Sequence, residues 1–209
     1  MELRNLTIKS KKRVLINDAN LKFKEGMISH VLGKNGVGKT CLAKAAMGAF
    51  PYMGEIVINR DELCIIGSYT NIPSDLRVTD VIYMARKNFN LQSASSLFKT
   101  LNLNEDIYRT KIKHLSDGQR QKVKLLYFLS TNPRIVIFDE FTTALDKKSC
   151  LDIYAFLNMY SNENHATIIN ITHNLTDLEY LDGDYYLIED ESIEKYETKE
   201  DVINNYIKG

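Results

Sequence analysis

The segment GKNGVGKT, Gly33–Thr40, decides the fold. It satisfies G-x-x-x-x-G-K-[ST] without a gap, and its flanks suit that motif. Met27–Leu32 is short, mostly apolar and follows a Glu25-Gly26 turn, which predicts a buried strand. Lys39–Gly48 holds helix formers and no proline, which predicts a helix. Strand, glycine loop, helix is the setting the motif requires. Gly33, Gly36 and Gly38 let backbone N–H groups turn inward with no Cβ in the way. Those donors and the helix N-terminus form a nest for anionic oxygens. The candidate contacts to a nucleotide are therefore Gly33, Asn35, Gly36, Gly38, Lys39, Thr40 and Cys41. Lys39 reaches β- and γ-phosphates as a point charge, and the Thr40 hydroxyl is a ligand for Mg²⁺. A chance glycine-rich turn is the competing reading; the placement of strand and helix argues against it.

Downstream, IVIFDE (Ile135–Glu140) is an apolar run ending in two carboxylates. Buried parallel strands read this way, and their carboxyl ends face the ligand crevice of open α/β sheets. Asp139 is placed to hold Mg²⁺, directly or through water. Glu140 is placed to accept a proton from an attacking water. An isolated apolar run with an acid is usually a strand ending in a solvated turn. The phosphate loop upstream decides otherwise here.

Between the two lies LSDGQ, Leu115–Gln119. A Ser hydroxyl and a Gly N–H at a helix start, with Gln119 beginning the helix, make a second anion-binding terminus. Alone, the segment would read as an ordinary Ser-Asp-Gly cap.

With these three segments in order, the chain resembles the nucleotide-binding subunit of ABC transporters. LSDGQ matches that family's LSGGQ signature with one departure, Asp117. TALD (Thr143–Asp146) looks like its D-loop. Thr172-His173, after the apolar strand Ala166–Ile171, looks like its switch histidine. Met53–Ile56 and the stretch from Gly183 to Glu194 match its remaining strand signals. The resemblance covers almost the whole chain.

It implies an α/β fold of the P-loop NTPase class, an ABC-type ATPase with a RecA-like αβ core. An N-terminal antiparallel β subdomain and a small helical subdomain would complete it. It also implies a single domain over 1–209, with the helical subdomain inserted at about 72–118. Two copies would pack head to tail around two ATP. Ser116, Gly118 and Gln119 of one would contact the γ-phosphate held by the other, with Asp146 nearby. Glu140, His173 and Lys39 would be catalytic, with ATP and Mg²⁺ as cofactors. The partners implied are a second ATPase subunit and an integral-membrane transporter subunit. The chain would then be cytoplasmic, peripheral on the inner face of the cell membrane through that partner.

Three stretches depart from the pattern. Asp117 would repel a γ-phosphate if it faced inward, so it is expected to point to solvent. Ile8–Arg13 (IKSKKR) offers no aromatic for adenine, leaving Arg13 or a lysine stem to stack on it; an exposed basic hairpin turn is the plainer reading. Cys64–Asn71 (CIIGSYTN) lacks the family's metal-linking Gln, with Ser68 the aligned metal candidate and Asn71 next. The bulky run Leu125–Leu129 leans toward small export-type ATPases.

Composition narrows the alternatives. At 209 residues the chain is long enough for one well-cored domain. Basic and acidic residues balance at 27 each, so no nucleic-acid partner is expected. The three cysteines, Cys41, Cys64 and Cys150, are scattered with no CxxC, which suits a reducing compartment. Cys41 reads as a small buried filler. MELRNLTIKS has no apolar core of the signal-peptide kind, and no stretch approaches a membrane span.

The remaining layout follows from pattern. Residues 2–24 read as a hairpin, with Ala19, Leu21 and Phe23 on its buried face. Strands are expected near 54–59 and 62–67. A helical stretch runs from Ile72 to His114, with Asp80 and Ser93 near helix starts. A helix spans Asp146–Tyr160, its Ile153, Phe156, Leu157 and Tyr160 facing the core. Thr198 and Asp201 open a last helix. The alternative to transport is an ABC-type ATPase in DNA repair, translation or cofactor assembly. Such chains usually carry a coiled-coil insert, a second ATPase domain or a basic face, and none is visible here.

Overall fold

The computed structural model describes residues 1–88, 97–143 and 145–208. β1 (Glu2–Ser10) and β2 (Arg13–Lys22) form the expected hairpin, and β4 (Tyr52–Val57) pairs antiparallel on the other side of β1. Ala19 and Phe23 are buried, as the alternation requires.

The second sheet supplies the site. Its strands are β3 (Ile28–Gly33), β5 (Leu63–Gly67), β6 (Ile135–Asp139), β7 (Thr167–Thr172), β8 (Asp184–Glu189) and β9 (Ser192–Tyr196). Their order is β5-β6-β7-β3-β8-β9, all parallel except the edge strand β9. Every residue of β3 and β7 is buried. That is why these strands read as mostly apolar runs rather than alternating ones, with Ser29, His30 and Asn170 among the buried polar exceptions. One core cluster packs the helices against one face of this sheet, and a second fills the space toward the N-terminal sheet.

α1 (Lys39–Met47) follows the glycine loop and ends at Gly48, whose φ of 84° suits a left-handed C-cap. α2 (Val78–Asn88) starts where Asp80 accepts from the Arg77 N–H at 2.8 Å. α3 (Asp117–Leu129) carries the LSDGQ segment at its start. α4 (Lys147–Asn164) buries Ile153, Phe156, Leu157 and Tyr160 as expected. α5 (Thr176–Tyr180) is short, and α6 (Lys199–Lys208) opens with Asp201 N–H donating to Thr198 Oγ1 at 3.1 Å.

Leaving aside residues 89–96, which lie outside the described residues, the stretch from Ile72 to His114 is helical only at Val78–Asn88 and 97–100. Residues 97–100 are helical, but beyond them the chain runs through turns and two 3₁₀ turns at Glu105–Ile107 and Ile112–His114. Asn102 takes a φ of 50°, and a bridge from Arg77 to Lys111 draws the ends together. Asn side chains favour such turns by bonding nearby backbone. Ser93 lies outside the described residues.

His30 sits fully buried in the middle of β3. Its Nε2 lies 2.9 Å from the Leu181 carbonyl, which can only accept, so Nε2 carries the proton. Nδ1 then accepts from Asn170 Nδ2 at 3.3 Å. Burial pushes its pKa below the ordinary 6.5. Between that lowered value and 6.5 the unfolded chain binds a proton that the folded chain refuses. Stability from this group is therefore complete above 6.5 and falls as the pH drops below it. An NMR pH titration should find the His30 ring titrating below the ordinary 6.5, with the urea midpoint falling as the pH drops below 6.5. Half-protonation near 6.5 would contradict the burial argument.

Candidate nucleotide-phosphate site

Three neighbouring strands deliver the site to one edge. Leu32 of β3 is level with Thr172 of β7, and Asp139 of β6 is level with Ile171. The next residues, Gly33, His173 and Glu140, therefore emerge side by side. Gly38 is the N-cap of α1 with a φ of 115°, a conformation that an L side chain resists. Lys39 is only 4% exposed and folds back under the loop. Its Nζ donates to the Gly33 and Lys34 carbonyls at 2.7 and 3.1 Å and lies 3.6 Å from Glu140 Oε1. Burial lowers its pKa, and the Glu140 charge opposes that shift.

Asp139 is 3% exposed, and its Oδ1 is buried without a hydrogen-bond partner. Burial raises its pKa, while the Thr40 hydroxyl and the Tyr69 phenol pull it down. A buried oxygen with no partner beside a threonine hydroxyl fits a hard cation that prefers oxygen ligands. Thr40 and Asp139 are thus the residues suited to Mg²⁺. Ser68 is exposed in the turn after β5, and no hydrogen bond joins it to Asp139 among the described residues. The residue against the carboxylate is Tyr69, which sequence reasoning missed. Nothing in CIIGSYTN marked the phenol as turning back toward β6.

Glu140 has a φ of 54°, left-handed backbone that costs energy in a non-glycine residue. Its N–H holds the Ile171 carbonyl at 2.9 Å, continuing the parallel pairing by one step. Its Oε1 meets His173 Nδ1 at 3.1 Å. The carboxylate therefore lies between Lys39 and His173, and the three catalytic candidates converge.

Behind them is a hub that the sequence did not reveal. Asp177 is 1% exposed; its Oδ1 accepts from Thr142 Oγ1, Tyr154 Oη and Asn174 Nδ2 at 2.8, 2.6 and 3.3 Å. Its Oδ2 accepts from Asn170 Nδ2 at 3.0 Å. Thr142 lies two residues past Glu140, and Asn174 follows His173, so one carboxylate ties both loops together.

At the start of α3, Ser116 and Gln119 form a reciprocal capping box. Gln119 N–H donates to Ser116 Oγ at 3.2 Å, and Ser116 N–H donates to Gln119 Oε1 at 3.0 Å. Among the described residues the Ser116 hydroxyl proton has no acceptor. Gly118 has a packing reason to be glycine: a Cβ there would collide with Ser149 Oγ and lie 2.7 Å from Ser149 Cβ. Asp117 is exposed and pairs with Arg120 at 3.0 Å, facing solvent in this chain as expected. Asp146 caps α4, accepting from Ser149 N–H at 3.0 Å and from its hydroxyl at 2.6 Å. Ala144, between Thr143 and Asp146, lies outside the described residues.

The loop opens onto a cavity of about 310 Å³ lined by Asn35, Gly36, Gly38, Lys39, Thr40, Cys41 and Glu140, with Ser10, Arg13 and Leu15 on its far side. Burial pushes the Cys41 thiol up, which keeps it protonated. A larger cleft of about 650 Å³ lies at the opposite end of the parallel strands, around Gly26, Arg134 and His165; it carries no glycine loop.

Comparison with known proteins agrees with this geometry. The family model for ABC transporters matches residues 16–143. "Probable peptide export ATP-binding protein YydI" of Bacillus subtilis is 40% identical over 209 residues, 99% of either chain. CbiO1 of Clostridium perfringens, part of the ABC transporter complex CbiONQ, superposes with a TM-score of 0.82 at 20% identity, over 99% of this chain and 91% of that one. The dimeric post-hydrolysis state of the ATP-binding cassette MJ0796, bound to ADP and Pi, gives 0.76 at 22% identity, over 93% and 97%. These last two speak to the fold. The chain belongs to the ABC transporter family. Within it, this is an ATP-binding, ATP-hydrolysing subunit, and no helix among its described residues is long and apolar enough to cross a membrane.

Asp177→Ala should cost about 3 kcal/mol or more in urea unfolding, since each stranded buried donor costs about 1–3 kcal/mol. Asp177→Asn, which keeps an acceptor oxygen, should cost less. Equal stability of the alanine variant and the parent would refute the hub.

Proposed function

We propose that the chain is the motor of an export system. Two copies pair head to tail around two ATP and drive a separate membrane-spanning subunit. The observation that carries the export reading is the 40% identity, over essentially both whole chains, to a protein whose name gives peptide export. A peptide is accordingly the cargo class we propose.

The residues fit the work required. On phosphate binding, Lys39 exchanges the Gly33 and Lys34 carbonyls for phosphate oxygens, and the glycine-loop N–H groups supply the remaining donors. Thr40 and Asp139 would hold Mg²⁺, which neutralises charge on the β- and γ-phosphates. Glu140 accepts the proton of the attacking water, and His173 holds that carboxylate and faces the γ-phosphate. The free Ser116 hydroxyl proton and the α3 N-terminus of the second copy supply donors from across the dimer. The segment around 72–118 is proposed as the piece that moves against the membrane subunit.

A tagged Glu140→Gln variant should retain ATP and lose turnover by about 10²–10⁴-fold. Recovered from detergent-solubilised membranes with ATP and Mg²⁺, it should bring down a polytopic membrane protein in stoichiometric amount. Normal turnover would overturn the role of Glu140, and recovery of soluble partners alone would overturn the transport reading.

A further inference from the structure

Lys124 is a buried charge that the hydrolytic site does not use. It is 5% exposed in α3, and its Nζ donates to the Gly67 carbonyl at 3.1 Å. No carboxylate pairs with it among the described residues, although Lys122, two positions earlier, has Asp152 at 2.6 Å. A buried ammonium resting on a carbonyl is costly to keep unless it holds something in place.

What it holds is the turn beneath Asp139. Gly67 ends β5 as the register partner of Asp139. A Cβ on Gly67 would lie 3.2 Å from Asp139 Cβ, from the Asp139 carbonyl oxygen and from Tyr69 Cε1. The place a side chain at Gly67 would take is therefore already filled by the Tyr69 ring. The turn is fixed by Thr70, whose Oγ1 accepts from Gly67 N–H and donates to the Gly67 carbonyl, both at 2.9 Å. Lys44 of α1 lies 4.9 Å above the Tyr69 ring. Tyr69 keeps 38% exposure, so its ring is not enclosed in the core.

We propose that Tyr69 and Lys124 are a positioning pair for Asp139. Lys124 ties the Gly67–Thr70 turn to the helix that begins at Ser116, and the turn seats the Tyr69 phenol against the carboxylate. Ser116 and Lys124 are eight residues apart, about 12 Å along one rigid helix. The pair thus joins the end that meets the second copy to the carboxylate that holds the metal. The inference rests on the reading of Asp139 as a Mg²⁺-holding residue.

The test measures ATP affinity by calorimetry, in EDTA and across a Mg²⁺ titration, in a Glu140→Gln background that does not turn over. The melting temperature of the nucleotide-free protein is measured alongside. Tyr69→Phe and Lys124→Met should each raise the Mg²⁺ concentration for half-maximal gain in ATP affinity by about 10-fold, the scale on which groups supporting a metal ligand act. Affinity in EDTA should stay within two-fold. The double variant should be no worse than either single one, as members of one unit are not additive. Lys124→Gln, which keeps a donor one bond shorter, should lose less than Lys124→Met. Unchanged Mg²⁺ dependence in Tyr69→Phe would overturn the inference, as would a Lys124→Met that only lowers the melting temperature. If Lys124→Met does not fold, Tyr69→Phe and Lys124→Gln decide. A parent protein whose ATP affinity ignores Mg²⁺ would overturn the reading of Asp139 and the inference with it.

Discussion

The structure depends on one constraint: β6, β7 and β3 are adjacent, parallel and end at the same height. Parallel pairing with Leu32 level with Thr172, and Asp139 level with Ile171, puts the glycine loop, two carboxylates and a histidine on one edge. No single loop could bring together groups separated by about a hundred residues of chain. The sheet does it by burying both faces of its central strands, which fixes their register through the core rather than through the site. The chemistry can then tolerate strain. Glu140 keeps left-handed backbone because β6 before it and its own bond to the Ile171 carbonyl determine where it sits.

Polar groups buried behind the site supply the second level of order. Asp177 gathers donors from the loops after β6 and β7, and the His30–Asn170 contact extends that network into β3. At the other side, Gly118 lets the start of α3 sit directly on Ser149, which itself is held by Asp146. The segment proposed to meet the second copy and the loop after Glu140 are therefore packed against each other within one chain. A shift at either is felt by the other through contact between rigid helix starts, since packed elements do not deform continuously.

The sequence disclosed most of the frame, for physical reasons. Glycines at fixed spacing and largely apolar strands have few alternative explanations, so Gly33–Thr40, Ile135–Glu140 and Ala166–Ile171 were legible directly. Side-chain direction was not. Ser68 was aligned with a metal role by position, and nothing in the sequence told that a tight turn closed by Thr70 sets Tyr69 against Asp139. Asp177 and Lys124 were silent because burial of a charge is decided by tertiary packing and leaves no periodic trace. Beyond residue 100 the stretch up to His114 read as more helical than it is, since Asn102 and the Arg77–Lys111 bridge favour turns that its apolar spacing conceals.

The central claim is that the site is finished by a second copy of the chain, with ATP between them. Sedimentation velocity of the Glu140→Gln variant, with and without ATP and Mg²⁺, tests it most directly. The account predicts a 24.0 kDa species without nucleotide. With ATP it predicts a species of twice that mass, carrying one ATP per chain and dispersing when ATP is removed. A protein that remains a monomer at saturating ATP, or that dimerises equally well without it, would contradict the account.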